Sequence, residues 1–165
     1  MALNTTLLGE LKNEANSTRK MLERVPADKF DWHPHQKSMK LGRLAKHIAE
    51  LNLWIERILN SDEFDFASAS FNSNFPESTE AVLQIFDERI AEATTALERA
   101  TDDDLNKIWT VRRGEQVMFQ MPKKAALRSF AYNHIYHHRG QLSVYLRLLD
   151  IPIPGMYGPS ADERW

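Results

Sequence analysis

The sequence predicts an all-α fold, a four-helix bundle with a short β-hairpin between the third and fourth helices. Four stretches carry apolar residues at steps of three and four, the spacing that gives a helix one apolar face. The segment around Arg113 and Gly114 has β-branched and aromatic residues instead, which favours a hairpin. With 165 residues, 42% of them hydrophobic, the chain can bury one core, and we expect a single domain over 1–165.

The first two helices are predicted on either side of a proline-containing loop. Helix one is expected over Thr5–Val25 and is closed by Pro26. Residues 26–39 show no hydrophobic period and are expected to form a loop. Helix two is expected over about Lys40–Asn60, and a histidine stands on its apolar face. That face consists of Leu44, His47, Leu51, Trp54 and Ile58.

The second half of the chain is predicted to hold two more helices. Residues 61–77 are rich in Ser, Asn, Asp and Phe and are expected to form a long connection. Ser78 then matches the N-cap of helix three. Helix four is expected from Pro122, which suits the first turn of a helix, to about Leu149. Its predicted inward band consists of Leu127, Ala131, His134, His138, Tyr145 and Leu149.

The composition excludes several classes of site and partner. The chain has no cysteine, which rules out disulfides, thiolate metal ligands and a cysteine nucleophile. Its 21 basic and 23 acidic residues give a net charge of −2, so no excess of positive charge indicates a nucleic acid or an anionic membrane as partner. Neither a secretory signal nor an apolar stretch of about 18 residues is recognised. We therefore expect a cytoplasmic protein.

Three histidines are the candidate metal ligands. His134 and His138 are four residues apart, which places both imidazoles on one face of a helix, one turn apart. His47 lies on the apolar face of another predicted helix. A shared divalent ion would satisfy all three imidazoles at once. The alternative is three separate core or pocket histidines, each with its own hydrogen-bond partner.

Two other metal chemistries do not match the sequence. A di-iron carboxylate bundle needs Glu-x-x-His pairs, and no histidine here has a glutamate three positions before it. A zincin helix carries His-Glu-x-x-His, whereas Ile135 occupies the glutamate position after His134. Three histidines with an open fourth position instead suit a zinc or nickel centre of the catalytic kind.

The segment LGRLAKHIAEL, with His47, and the segment NHIYHHRGQL, with His134 and His138, resemble the DinB/YfiT-like family of metal-binding four-helix bundles. The segments FDWHPHQKSM and PIPGMYGPSADE are also similar to family members at those places. The resemblance covers essentially the whole chain and implies an up-down-down-up bundle, in which residues 61–77 cross between parallel helices two and three. It further implies a homodimer and a zinc or nickel ion bound by the three histidines.

The resemblance indicates the site better than the reaction. Some relatives are thiol-dependent transferases that use bacillithiol or mycothiol, and others are hydrolase-like. We therefore expect a metal-dependent transferase or hydrolase that acts on a small-molecule substrate, with a low-molecular-weight thiol as cosubstrate of the transferase. A non-catalytic metal or small-ligand binding module is the alternative, since this architecture hosts unrelated functions.

Five further residues each carry two interpretations. Tyr132, Tyr136 and Tyr145 either orient a water or substrate or pack in the core and at its rim. Arg139 either binds an anionic group of a substrate near the metal or covers the helix flank at the surface. Glu50 either accepts a hydrogen bond from an imidazole or is a solvated charge. The remaining loop histidines and basic pairs are interpreted as surface residues: His33, His35, Arg112, Arg113, Lys123 and Lys124.

Overall fold

The structure, a computed structural model, describes residues 2–70 and 74–164. Within these ranges the α-helices are α1 (Leu3–Leu22), α2 (Leu41–Glu50), α3 (Leu53–Asn60), α4 (Thr79–Arg99), α5 (Asp102–Asn106), α6 (Lys123–Leu127) and α7 (Asn133–Leu148). The strands β1 (Glu63–Asp65), β2 (Ile108–Arg113) and β3 (Gln116–Pro122) form one small sheet. The fold is therefore mainly helical. No helix of the described ranges is long and apolar enough to cross a bilayer.

The predicted count of four helices is not confirmed, because two of the predicted helices are divided. Predicted helix two becomes α2 and α3, which are separated by Leu51 and Asn52. Predicted helix four becomes α6, a π-helical segment at Arg128–Tyr132, and α7. In a π-helix the hydrogen bonds span five residues instead of four, and single π-turns occur frequently at functional sites. The segment directly precedes α7, whose second residue is His134.

Helix α4 begins where the sequence predicts. Ser78 has an extended backbone, and its hydroxyl accepts a hydrogen bond from the N–H of Ala81 at 3.2 Å. This contact satisfies one of the free N–H groups of the first turn. The next residue, Thr79, donates its hydroxyl to the carbonyl of Val25 at 2.7 Å. The end of the first helical region is thereby tied to the start of α4.

The predicted hairpin is confirmed as the antiparallel pair β2 and β3. Gly114 lies in its turn with a φ of 57°, a conformation that glycine adopts without steric cost. Strand β1 was not predicted. It pairs in parallel with β2 and sets Phe64 opposite Val111, so the connection 61–77 contains sheet structure. Residues 71–73 of that connection lie outside the described residues.

The core packing fixes the two helices that carry the candidate ligands. Leu44 and Ile48 of α2 belong to the same buried cluster as Leu142 and Leu146 of α7. All four side chains are fully buried. A second cluster joins α3, the sheet and the start of the last helical region. Because protein interiors are closely packed, the relative position of α2 and α7 is set by side chains other than the histidines.

Leu51 and Ile58 are buried as the helical pattern predicts, with 1% and 0% of their surface exposed. We expect Leu51→Ala or Ile58→Ala to lower the free energy of unfolding by about 2–5 kcal/mol, because each removes buried methyl groups and leaves a cavity. Urea unfolding would measure the change. The matched control is Leu148→Ala, since Leu148 is 57% exposed. A near-neutral effect in both core variants would contradict the packing.

Candidate metal centre

The three histidines that the sequence singles out lie together in the fold. His47 belongs to α2, and His134 and His138 belong to the first half of α7. Each offers one ring nitrogen, and these three atoms lie within 4.8 Å of one another. Nε2 of His47 and Nε2 of His134 are 3.4 Å apart. The cluster therefore joins two helices that are distant in sequence.

The spacing of two of the three nitrogens fits a single small ion. Zinc binds an imidazole nitrogen at about 2.0–2.1 Å, most often in tetrahedral geometry. Two nitrogens at that distance from one ion, with a tetrahedral angle between them, are about 3.3–3.4 Å apart. The separation of 3.4 Å between His47 and His134 matches this value. The donor set, three imidazoles without a thiolate, suits zinc, nickel, copper or iron.

Burial lowers the pKa of all three histidines. For His47 the pKa falls from 6.5 to about 4, first because burial penalises the charged ring and then because the other two imidazoles lie close by. Burial is also the main cause that lowers the pKa of His134 and of His138. Only the neutral imidazole binds a metal. At neutral pH the cluster is therefore in the form that binds one.

Two of the histidines are held by hydrogen bonds within their own helical region. Nδ1 of His138 lies 2.7 Å from Oε1 of Gln141. The ring of His134 is hydrogen-bonded to the backbone of Phe130, which lies in the π-helical segment. Gln141 was not singled out by the sequence analysis. The sequence feature that could have identified it is its position three residues after His138, a spacing at which side chains on a helix are in contact.

The three histidines differ in their burial. His138 is 6% exposed, whereas His47 and His134 are half-buried. Most of the predicted inward band is confirmed, because Leu127, Ala131, His138 and Tyr145 are all buried. The partial exposure of His47 and His134 leaves the cluster accessible from the surface.

Arg139 is not at the surface, so that interpretation is wrong. Its side chain is 4% exposed, and its Nη2 is 2.7 Å from Oε2 of Glu14 on α1. Nη1 donates to the hydroxyl of Thr18 at 3.0 Å, and Nη2 also donates to the hydroxyl of Tyr157. The guanidinium therefore connects α7 to α1 and to the C-terminal segment. Its charge is offset by Glu14, which argues against a role as an anion-binding group beside the histidines.

Two of the tyrosines near the histidines belong to the core. Tyr132 is 2% exposed, and its hydroxyl donates to the carbonyl of Leu7 at 2.8 Å. Tyr145 is 8% exposed and packs edge-to-face on Trp32, with the ring centres 5.6 Å apart. Both contacts support the packing interpretation of these residues.

Two charged residues with an interpretation from the sequence are paired with other charges. The carboxylate of Glu50 lies 3.0 Å from Nζ of Lys46 on the same helix, which favours the interpretation of Glu50 as a charge over that of a hydrogen-bond partner of an imidazole. Lys123 is buried, with 4% of its side chain exposed, and its Nζ is 2.9 Å from Asp62. The interpretation of Lys123 as surface charge is therefore wrong. A buried ammonium needs such partners to offset its lost hydration.

The lowered pKa of His47 predicts how the metal-free protein responds to acid. The unfolded chain protonates this histidine near pH 6.5, whereas the folded chain does so only near pH 4. Between these values the unfolded state binds more protons, so the free energy of unfolding falls as the pH falls. We expect His47→Asn to show a shallower fall than the wild type in urea unfolding with a chelator present. Equal pH dependence in the two proteins would contradict this assignment.

Comparison with known proteins agrees with the fold and assigns the chain to a family. The chain matches the family model described as the DinB family over residues 1–164. It is 28% identical over 157 residues to the uncharacterized protein YrdA of Bacillus subtilis (strain 168), an overlap of 92% of this chain and 86% of YrdA. It is 27% identical over 151 residues to the uncharacterized protein YjoA of the same organism, which covers 89% and 91% of the two chains.

Two crystal structures are similar to this fold. A DinB-like protein from Bacillus cereus ATCC 10987 superposes with a TM-score of 0.69 at 25% identity, covering 91% of this chain and 95% of that one. The DinB-like protein YjoA of B. subtilis superposes with a TM-score of 0.71 at 18% identity, covering 96% and 99%. The architecture described above is therefore shared along nearly the whole length of these proteins.

Proposed function

Because the chain belongs to the DinB family, we propose that His47, His134 and His138 bind one divalent metal ion and that this centre acts on a small molecule. The observation that carries the proposal is the approach of the three ring nitrogens to within 4.8 Å. We expect zinc or nickel, because both are suited to neutral imidazole ligands. Three protein ligands leave a coordination position open, as in catalytic zinc sites.

The surroundings of the three histidines keep their rings neutral and in position to bind an ion. Burial keeps the imidazoles neutral, and the contact with Gln141 orients the ring of His138. The packing of Ile48 in one cluster with Leu142 sets His47 opposite the two histidines of α7. A divalent ion held there would supply Lewis acidity that lowers the pKa of a water or thiol at neutral pH.

We further propose that the chain is a thiol-dependent transferase, with a hydrolase as the second candidate. The chain contains no cysteine, so a sulfur nucleophile has to come from a low-molecular-weight thiol. In such a transfer the thiol sulfur bonds to an electrophilic carbon, and the leaving group departs as the thiol loses its proton. The half-buried positions of His47 and His134 support access of both small molecules.

The proposal includes topology, assembly and location. We infer an up-down-down-up order of four helical units and a cytoplasmic homodimer, as the family resemblance implies. Light scattering of the purified protein would test the assembly, since the mass of one chain is 19.1 kDa. A dimer is expected at twice that mass.

Metal titration tests the centre. Protein purified without a histidine tag and stripped with a chelator is expected to bind one equivalent of zinc or nickel. A ligand that binds only the folded state at 100 times its Kd raises the free energy of unfolding by about 2.7 kcal/mol. The thermal unfolding temperature should therefore rise with the metal concentration. Failure to bind either ion would overturn the proposal.

A panel of electrophiles separates the candidate reactions. The zinc and nickel forms would be assayed with and without a low-molecular-weight thiol. Turnover only with the thiol supports the transferase, and turnover that does not depend on it supports the hydrolase. Stoichiometric metal binding without turnover would favour the non-catalytic binding module.

A further inference from the structure

We propose that Gln141 is a positioning residue of the candidate metal centre, and that its side-chain carbonyl keeps the proton of His138 on Nδ1 so that Nε2 is free to bind the ion. The proposal rests on the proposed function, because it concerns the same three histidines. Its basis is the distance of 2.7 Å between Oε1 of Gln141 and Nδ1 of His138. This distance is that of a good hydrogen bond.

The geometry of α7 brings the two side chains together. Gln141 follows His138 by three residues, a spacing at which helical side chains lie on the same face. Gln141 is exposed, whereas His138 is 6% exposed. The amide contacts Nδ1 of the ring, which leaves Nε2 as the nitrogen that can take part in the cluster. The ring centres of His47 and His138 are 4.5 Å apart.

The direction of this hydrogen bond decides whether His138 can bind a metal. A neutral imidazole carries one N–H group and one lone pair. When Oε1 accepts from Nδ1, the lone pair lies on Nε2 and is available to the cluster. With the amide reversed, its N–H would donate to Nδ1, and the proton would occupy Nε2. Metal-binding histidines usually donate their second N–H to an oxygen, which fixes the tautomer and the ring orientation.

Glutamine also suits this position because it is neutral. A carboxylate here would place a negative charge next to the ring and favour the protonated imidazolium. The amide oxygen fixes the tautomer without adding that charge. Glu50, one helical turn after His47, was another candidate for a contact of this kind, but its carboxylate pairs with Lys46. Gln141 is the residue that makes this contact with His138.

Zinc affinity is the first test, measured by competition with a chromophoric chelator. Gln141→Leu removes the acceptor at similar size, and we expect its zinc affinity to fall by about 10–100-fold. Gln141→Glu keeps an acceptor oxygen, and at alkaline pH, where the imidazole is neutral even beside a carboxylate, it should keep most of the wild-type affinity. The matched control is Gln84→Leu, because Gln84 is an exposed glutamine on α4 that pairs with Glu88 at 3.0 Å. This control should bind zinc as the wild type does.

The tautomer of His138 is the second test and needs no metal. Nitrogen-15 NMR of the zinc-free wild type should show the proton on Nδ1, and Gln141→Leu should shift the ring towards the other tautomer. Urea unfolding should give the same stability for both proteins, since Gln141 is exposed. This equality would exclude unfolding as the cause of a lost affinity.

The two tests separate this inference from the metal proposal. Wild-type zinc affinity in Gln141→Leu, or a proton on Nε2 of His138 in the zinc-free wild type, would overturn the role of Gln141. In either case zinc binding by the wild type would leave the metal centre intact. If the wild type does not bind zinc, the metal centre itself is wrong, and the tautomer still reports on the contact with Gln141.

Discussion

Replacing His134 by alanine is expected to lower the zinc affinity of the chain by more than about 100-fold. Loss of a partner that only orients a ligand costs about 10–100-fold, and loss of the ligand itself should cost more. His134 is one of the three histidines of the cluster, and its Nε2 is 3.4 Å from Nε2 of His47. The alanine variant therefore retains only two of the three imidazoles. The same result is expected for His138→Ala, with affinity measured by chelator competition.

The control for these variants is His137→Ala. His137 is exposed, and its ring centre is 4.8 Å from that of His138, but it does not belong to the group of three. The variant makes the same chemical change one residue away from a ligand and should bind zinc as the wild type does. Unchanged affinity in His134→Ala would mean that the ion binds elsewhere.

Replacing Glu14 by glutamine is expected to lower the free energy of unfolding by about 3–5 kcal/mol. The carboxylate of Glu14 and the guanidinium of Arg139 are 2.7 Å apart, with 15% and 4% of the side chains exposed. Glutamine has nearly the same shape as glutamate but no negative charge. The buried guanidinium of Arg139 would therefore lose its counter-charge. Breaking one partner of such a pair is costly because the remaining charge has lost its hydration.

Two comparisons test this explanation by urea unfolding. Asp87→Asn breaks the pair of Asp87 with Arg19, which are 49% and 41% exposed, and should change the stability far less, because exposed pairs contribute little. The double variant Glu14→Leu with Arg139→Met removes both charges and should be more stable than Glu14→Gln. If Glu14→Gln lowers the free energy of unfolding by less than about 1 kcal/mol, the ion pair of Glu14 with Arg139 does not stabilise the fold as proposed.

The parts of the fold that the sequence predicted correctly have strong local signals. The start of α4 follows from Ser78, whose side chain caps the next turn. The hairpin follows from Gly114 between two apolar segments. Strand β1 has no such signal, because its three residues form a strand only by pairing with β2. Contacts of that kind depend on the tertiary structure and not on local propensity.

The candidate site likewise contains features that the sequence predicted and features that it did not. The histidine cluster was predicted because His134 and His138 have helical spacing and His47 lies on an apolar face. The burial of Arg139 was not predicted, since its partner Glu14 is 125 residues away. Nothing local distinguishes such an arginine from one at the surface. Gln141 was overlooked although its spacing to His138 is local.

The π-helical segment at Arg128–Tyr132 affects which changes in chain length before α7 would leave the position of the histidines unchanged. A π-turn accommodates one residue more than an α-turn, so the extra residue is absorbed locally. A protein that lacks one residue here, for example at the exposed Ser129, would continue as an uninterrupted helix and present the same two histidines. If both histidines bind one ion, as proposed, the step of four residues from His134 to His138 has to be kept, because it sets the two rings on one face of the helix. The distance along the chain from β3 to His134 can instead differ by one residue among proteins that share the site.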